Sequence, residues 1–258
     1  MDTNDAEPWL AGVDGCRSGW IAVFVRPNGD EARVRIVPRF ADVIGAPEAP
    51  AIVAVDMPIG LPERSPVKGR LAEGAVRALL GNRKSSVFRI PSRSAVYASV
   101  ATEPADERER FFFACKIARD TSEDGKAFAK QGFYILPKIV EIDLLLRGRS
   151  DDDTQRVFET HPEVVFWRLN RGHPLDTPKK VKGRVHEPGM EFRRGLLIKA
   201  GLPAKEVNAP PPDGAGPDDL LDALACAAVA RRLHRGEAQP FPDPPPRDAF
   251  GLRMAIWA

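Results

Sequence analysis

The run "AIVAVDMP", residues 51–58, constrains the fold more than any other part of the chain. It is apolar up to Asp56, the pattern of a strand covered on both faces and often parallel to its neighbour. Pro58 and Pro62 end it, because proline cannot donate to a strand ladder. A second buried run, "LAGVDG" from Leu10, carries Asp14. Both strand-like segments stop on a carboxylate. As parallel neighbours they would place Asp14 and Asp56 a few ångströms apart at one sheet edge, where ligands of α/β sheets bind. Two carboxylates that close repel unless a proton or a cation sits between them.

The other elements follow from pattern. "RSGW" turns the chain, "WIAVFV" returns as a strand, and "PNGD" predicts a hairpin by its Asn-Gly pair. "ARVRIVPRF" alternates apolar and basic residues, which suits a strand with one solvated face. These three strands form an antiparallel meander. Beyond the second run, residues 68–80 predict a helix closed by Gly81. "NRKSSVFRIPSR" reads as an irregular basic loop. Residues 106–147 read as mostly helical, with breaks near Gly125 and over 132–137, and Gly148 with "SDDD" predicts a turn. "TQRVFETHP" returns to strand character, a helix starts at Pro162, and "GMEFRRGLLIKAGL" predicts another. After the loop "APPPDGAGP", the segment "DDLLDALACAAVARRLHRG" repeats small and apolar residues at helical spacing, with Gly236 past its end. "LRMAIWA" predicts a last edge strand. The order gives an α/β fold: a mixed sheet of a three-strand meander plus parallel strands. It predicts one domain over residues 1–258, with a helical insertion at about 62–155.

Composition excludes several classes. No run approaches the ~18 apolar residues that cross a membrane. The start "MDTNDAEPWL" lacks the basic-then-apolar layout of a signal peptide. Cys16, Cys115 and Cys226 lie far apart with no CxxC pair, which predicts reduced thiols and a cytoplasmic location. The net charge of +2 hides two basic blocks, residues 63–93 and 168–205, in an otherwise acidic chain. Such blocks are either solvated helical faces or a surface for a phosphate-rich partner, nucleic acid above all.

More acids extend the pattern. Glu159 ends the third strand-like run and would join the same edge. Asp219 and Asp222, spaced i, i+3, share a helix face that is otherwise Ala, Cys and Ala, small enough to pack tightly on a sheet. Asp218 suits an N-cap or first-turn position. Each acid alone has a structural reading: a turn, a strand end, an arginine partner or a cap. Together they form an oxygen-only set that selects Mg²⁺ or Mn²⁺. Two such ions ~4 Å apart activate water and stabilise the leaving oxygen in phosphodiester hydrolysis.

This order of strands and acids resembles the RNase H-like fold, and the chain resembles the DUF429 family of predicted nucleases. The matching pieces are "GVDGCRSGW", "VDMPIGLP", "GNRKSSVFRIPSR", "ILPKIVEID", "ETHPEVVF" and "DDLLDALACA", spread over nearly the whole chain. The resemblance implies a metal-dependent nuclease with Asp14 on the first strand and Asp56 on the fourth. It puts Glu159 on the fifth strand and Asp219 and Asp222 on the last helix. The catalytic set would be these five, with Asp14, Asp56, Asp219 and Asp222 as metal ligands. One departure is Glu73, at a position where the family usually carries Asp three residues after an arginine, here Arg70.

Candidate substrate-binding residues are Arg17, Arg83, Ser85, Ser86, Arg93, Lys138 and Lys180. Ser85 and Ser86, among Arg83, Lys84, Arg89 and Arg93, could grip phosphates or cap a turn. Lys138 could pair with Glu141 instead. Lys179 and Lys180 suit a solvated loop or a substrate contact. His161 suits a buried structural histidine or a general base. No histidine is tied to Cys16 by pattern, and no Walker loop or GxGxxG is present. Two other functions stay open. "GVDG" also resembles the first phosphate loop of actin-like and sugar-kinase-type ATP-binding proteins, but no second Asp-Gly-Ser/Thr loop follows. The other is a non-catalytic nucleic-acid-binding protein of the same fold.

Overall fold

The computed structural model describes residues 7–258, with the backbone alone at 151 and 152. Residues 1–6, which carry most of the stretch read for a leader and begin the expected 1–258 domain, lie outside the described residues. In chain order, β1 (Leu10–Cys16), β2 (Gly19–Val25) and β3 (Ala32–Val37) are followed by α1 (Phe40–Ile44) and β4 (Ile52–Val55). Next come α2 (Leu71–Arg77), a 3-10 turn (Gly81–Ser86), α3 (Arg93–Ala98), α4 (Glu107–Asp120), α5 (Lys130–Phe133), α6 (Leu136–Arg147) and α7 (Asp151–Gln155). Then follow β5 (Val157–Glu159), α8 (Pro162–Leu169), a hairpin of β6 (Lys180–Val181) and β7 (Arg184–Val185), α9 (Glu187–Lys199), α10 (Ala204–Val207) and α11 (Pro217–His234). The chain closes with β8 (Pro240–Phe241) and β9 (Ile256–Trp257). It divides into two compact units. One comprises the chain up to Asp56, then 156–238 and Ala258, and the other comprises 57–155 with 239–257.

The first unit is built on a five-stranded sheet of order β3-β2-β1-β4-β5. β1 to β3 form the antiparallel meander, and β1–β4 and β4–β5 are parallel. This is the mixed α/β sheet expected, and it is consistent with an RNase H-like fold. β1, β2 and β4 are buried almost throughout because helices cover them. α11 lies across β1, β4 and β2. Its approach is close enough that a Cβ on Gly12 would come 1.9 Å from the Ala227 nitrogen and 2.3 Å from the Ala223 oxygen. Glycine on the strand and alanine on the helix are therefore two halves of one contact. Elsewhere Trp20 of β2 packs on Phe40 of α1, ring centroids 5.1 Å apart. On the edge strand β3, Arg33 and Arg35 both reach the buried Glu48. Charged side chains there discourage edge-to-edge pairing.

The second unit is mainly helical, with α3 packed on α4 and α6, and α5 and α7 on α6. Four local expectations change here. The helix expected over 68–80 begins only at Leu71, since Gly69 has φ 90° and cannot be helical; Gly81, φ 51°, opens the 3-10 turn. Part of the expected basic loop is α3, capped by the Ser92 hydroxyl accepting the Ala95 N–H at 3.3 Å. The "SDDD" turn is the start of α7, with Ser150 Oγ accepting the Asp153 N–H at 3.4 Å. β9 does form, but as a two-residue ladder with β8 and not on the five-stranded sheet. Among the described residues, no helix is long and apolar enough to cross a membrane.

Candidate metal centre

The parallel pairing of β1 and β4 runs from Leu10↔Ile52 to Val13↔Val55. One step further, the Asp56 N–H donates to the Val13 carbonyl at 2.9 Å, so Asp14 and Asp56 come next on the two strands. β1 does not stop at Asp14, however. It continues to Cys16 against β2, with Asp14 opposite Ile21, while β4 ends at Val55. Strand alternation puts Asp14 and Asp56 on the same face as Gly12 and Ala54, the face on which α11 lies. α11 contributes Asp222, one residue before the Ala223 that meets Gly12. Carboxylate oxygens of Asp14, Asp56 and Asp222 all fall within 4.8 Å of one another.

The environment resists negative charge. Asp14 and Asp222 are buried and Asp56 partly so. Burial first, then Asp56, Asp222 and Asp219, hold Asp14 well above the usual carboxylate range, with Lys179 pulling the other way. Burial lifts Asp56 from 3.8 to about 7, against the attraction of Lys179. Burial also lifts Asp222 to about 6, again opposed by Lys179 and reinforced by Asp56. Asp222 Oδ2 accepts a hydrogen bond from the Lys179 ammonium, whereas the buried Oδ1 has no hydrogen-bond partner among the described residues. Asp14 Oδ1 accepts the Gly15 N–H at 2.7 Å. An orphaned acceptor among three converging carboxylates is the place a hard cation would satisfy. The oxygen-only donor set could therefore hold a metal ion. Cys226, buried beneath the acids, is kept a thiol by burial and by their charge, and so offers no thiolate.

Lys179 lies in a loop, as its sequence context predicts, but it is not solvated: its side chain is fixed beside the acids. The His186 N–H donates to its carbonyl at 2.8 Å. The fully buried Arg193 of α9 donates to the Thr177 carbonyl at 2.8 Å and grips Glu163 of α8 through two bonds of 2.9 Å. A Cβ on Gly189 would lie 2.0 Å from the Pro178 oxygen, so only glycine lets the first turn of α9 come this close. Glu163, Arg193 and Gly189 escaped the sequence reading. The one available signal was an acid just after Pro162, in the first turn of a helix.

The other acids take different places. Asp219 lies one turn before Asp222, but its carboxylate accepts the Gly216 N–H at 2.8 Å. Asp218 is a first-turn acid of α11, one of the two positions expected for it, and pairs with Lys180 at 2.6 Å, while Asp219 makes the capping bond. Asp219 supplies negative potential at Asp14. Glu159 is buried on β5, in register with Val55. That register is one residue short of Asp56, so alternation turns Glu159 to the opposite face of the sheet from Asp14 and Asp56. It supplies no oxygen to the group of three.

Among the expected substrate-binding residues, Arg17 is exposed at the turn after β1, and Lys180 is exposed on the β6–β7 hairpin. The rest belong to the second unit. Ser85 is exposed and Arg83 and Ser86 half-buried on the 3-10 turn, with the Ser86 hydroxyl donating to the Arg83 carbonyl at 2.8 Å. Lys138 is half-buried on α6. Arg93 is buried, with its guanidinium taken by Asp143 and Asp248. A buried guanidinium needs such partners, which is why Arg93 is not presented to solvent as a phosphate grip. Glu73 is likewise buried and paired with Arg70 at 2.6 Å.

Comparison with known proteins gives one match. A family described as "Protein of unknown function (DUF429)" matches residues 12–247. No curated protein and no solved structure matches the chain. The matched span holds all three converging carboxylates, β4 and β1 from Gly12 on, and the chain belongs to the DUF429 family.

Proposed function

We propose that this protein is a divalent-metal-dependent nuclease that hydrolyses phosphodiester bonds at the carboxylate centre. The observation that carries the reading is the convergence of Asp14, Asp56 and Asp222 from two parallel strands and one helix. A bound Mg²⁺ or Mn²⁺ would supply a Lewis acid and an activated water at neutral pH. The three carboxylates would hold it, with Asp219 deepening the negative potential. Glu159, on the other face, is assigned no part in holding the ion. Lys182 and Arg184 are exposed beside Lys180 on the hairpin, whose tip, Lys182 and Gly183, has φ of 50° and 77°. This basic hairpin, with Arg17, suits the phosphates of a nucleic-acid strand. Arg83, Ser85, Ser86 and Lys138 are proposed as further phosphate contacts. The three free, buried cysteines suit a reducing compartment, and we place the protein in the cytoplasm.

The test is cleavage of labelled single- and double-stranded DNA and RNA with Mn²⁺ or with chelator, for the wild type and for Asp14→Asn and Asp222→Asn. Expected is metal-dependent cleavage that falls about 100-fold or more in each variant, beyond the usual cost of an outer-shell partner. Cleavage at the wild-type rate in Asp14→Asn would refute the ligand assignment. Metal binding with no cleavage of any nucleic acid would leave a binding protein of the same fold. Thermal stabilisation by ATP would favour the ATP-binding alternative.

A further inference from the structure

Without a cation, three carboxyl groups this close need some positive charge, and the protein supplies one itself. Lys179 sits with its side chain 16% exposed, its ammonium on Asp222 Oδ2. Nothing about its neighbourhood is casual. The backbone on either side is tied down by the His186 N–H and the Arg193 guanidinium, and Gly189 leaves room for Pro178. Asp56 and Glu163 add to the attraction that Asp222 exerts on it. Yet Lys179 satisfies only one oxygen of Asp222: among the described residues, the buried Oδ1 has no hydrogen-bond partner. That unpartnered oxygen points to a ligand that Lys179 does not replace.

We propose that Lys179 is an internal counter-ion of the carboxylate centre, and that a divalent cation takes its place on Asp222. The inference rests on the metal-binding reading above and adds a selectivity to it. An ion of one charge gains nothing electrostatically over the ammonium it would displace, and it must still shed its water. A divalent ion doubles the attraction to every carboxylate and competes with the ammonium for Asp222, whose Oδ2 Lys179 holds. Na⁺ and K⁺ should therefore leave Lys179 in place, whereas Mg²⁺ and Mn²⁺ should release it. The tethered backbone keeps the released side chain close by, ready to return when the ion leaves.

Two measurements test this on the full chain. The first is amine acylation followed by peptide mass spectrometry, with no added ion, with K⁺ at matched ionic strength, and with Mg²⁺. Expected is at least a threefold faster modification of Lys179 with Mg²⁺ and no change with K⁺, while Lys182 reacts equally in all three. The second is Mn²⁺ titration calorimetry on the wild type and Lys179→Met, both checked by circular dichroism. Expected is binding at least tenfold tighter in Lys179→Met, because the ion no longer competes with an ammonium. Wild-type Mn²⁺ binding with unchanged or slower Lys179 modification under Mg²⁺ would overturn the inference and leave the metal centre standing. So would unchanged or weaker Mn²⁺ binding in Lys179→Met. No Mn²⁺ binding by either protein would refute the metal centre itself, and the displacement with it. If Lys179→Met does not fold, the modification rates of the wild type decide alone.

Discussion

Asp56→Asn should make this protein more stable at neutral pH, although it damages the proposed centre. The carboxyl of Asp56 is lifted from 3.8 to about 7 by burial. A folded-state value above the unfolded one contributes stability in full below about pH 4, and that contribution is lost as pH rises through about 7. Above that pH the folded protein carries the whole cost of the buried charge. The rise corresponds to about 4 kcal/mol. That figure, from which the attraction of Lys179 is already subtracted, is a ceiling, because Asp56 is only partly buried. A net gain of about 2 kcal/mol is expected at pH 8, or roughly 4–8 °C in Tm for a chain of this size. As pH falls to 4, where Asp56 is neutral in the folded state and about half ionised in the unfolded one, the difference between variant and wild type should shrink to under about 1 kcal/mol. The assay is a series of metal-free thermal or urea melts from pH 4 to 8.5. A variant less stable than the wild type at pH 8, or a difference that does not change with pH, would refute the claim that Asp56 is held against its own ionisation.

Other outcomes follow from the same structure. Mn²⁺ should raise the wild-type Tm, with stabilisation of about 2.7 kcal/mol at a hundredfold excess over Kd. That stabilisation should fade as pH drops below about 6, because protons compete for the carboxylates; differential scanning at three pH values reads it, and pH-independent stabilisation would count against these ligands. Gly12→Ala should destabilise by about 3 kcal/mol or more, since its Cβ would meet backbone of α11 and not a movable side chain; urea midpoints within about 0.5 kcal/mol of wild type would contradict the close contact. Arg193→Met should cost about 3–5 kcal/mol by taking the two-bond guanidinium partner away from the buried Glu163. The double variant Glu163→Gln/Arg193→Met should recover part of that loss in the same melts.

The three converging acids were legible because each sits where sequence pattern alone marks an element end or a helix face. Two apolar runs defined adjacent strands, and the Ala-rich stretch defined a helix that could lie flat on them. What stayed hidden depends on register or on distance along the chain. Glu159 looked equivalent to Asp56, but the strand period of two turns a one-residue offset into the opposite sheet face. Pattern left Asp218 as N-cap or first-turn acid because it does not fix the helix start to one residue; with Gly216 as N-cap, Asp218 is the first-turn acid and Asp219 bonds the cap. Arg93 looked like a phosphate grip because its partners, Asp143 and Asp248, stand 50 and 155 residues away. Lys179 lies in "PKKVKGRV", which reads as solvated loop. Only the docking of α9 against Pro178 carries it to the acids.

The contact at Gly12 also sets how the centre responds to change elsewhere in the chain. In most cores, the spacing of a helix from a sheet is a compromise among many side chains, and it drifts when their volumes change. Here the Ala227 nitrogen and the Ala223 oxygen lie against a strand position with no side chain. The gap is a hard stop set by the radii of main-chain atoms. Asp222 is the neighbour of Ala223, and Asp14 is two residues from Gly12. The distance across the centre is thus ruled off from a fixed datum next to both acids. Substitutions in the outer core can alter stability while leaving that ruler untouched, so sequence drift can proceed there without detuning the carboxylates.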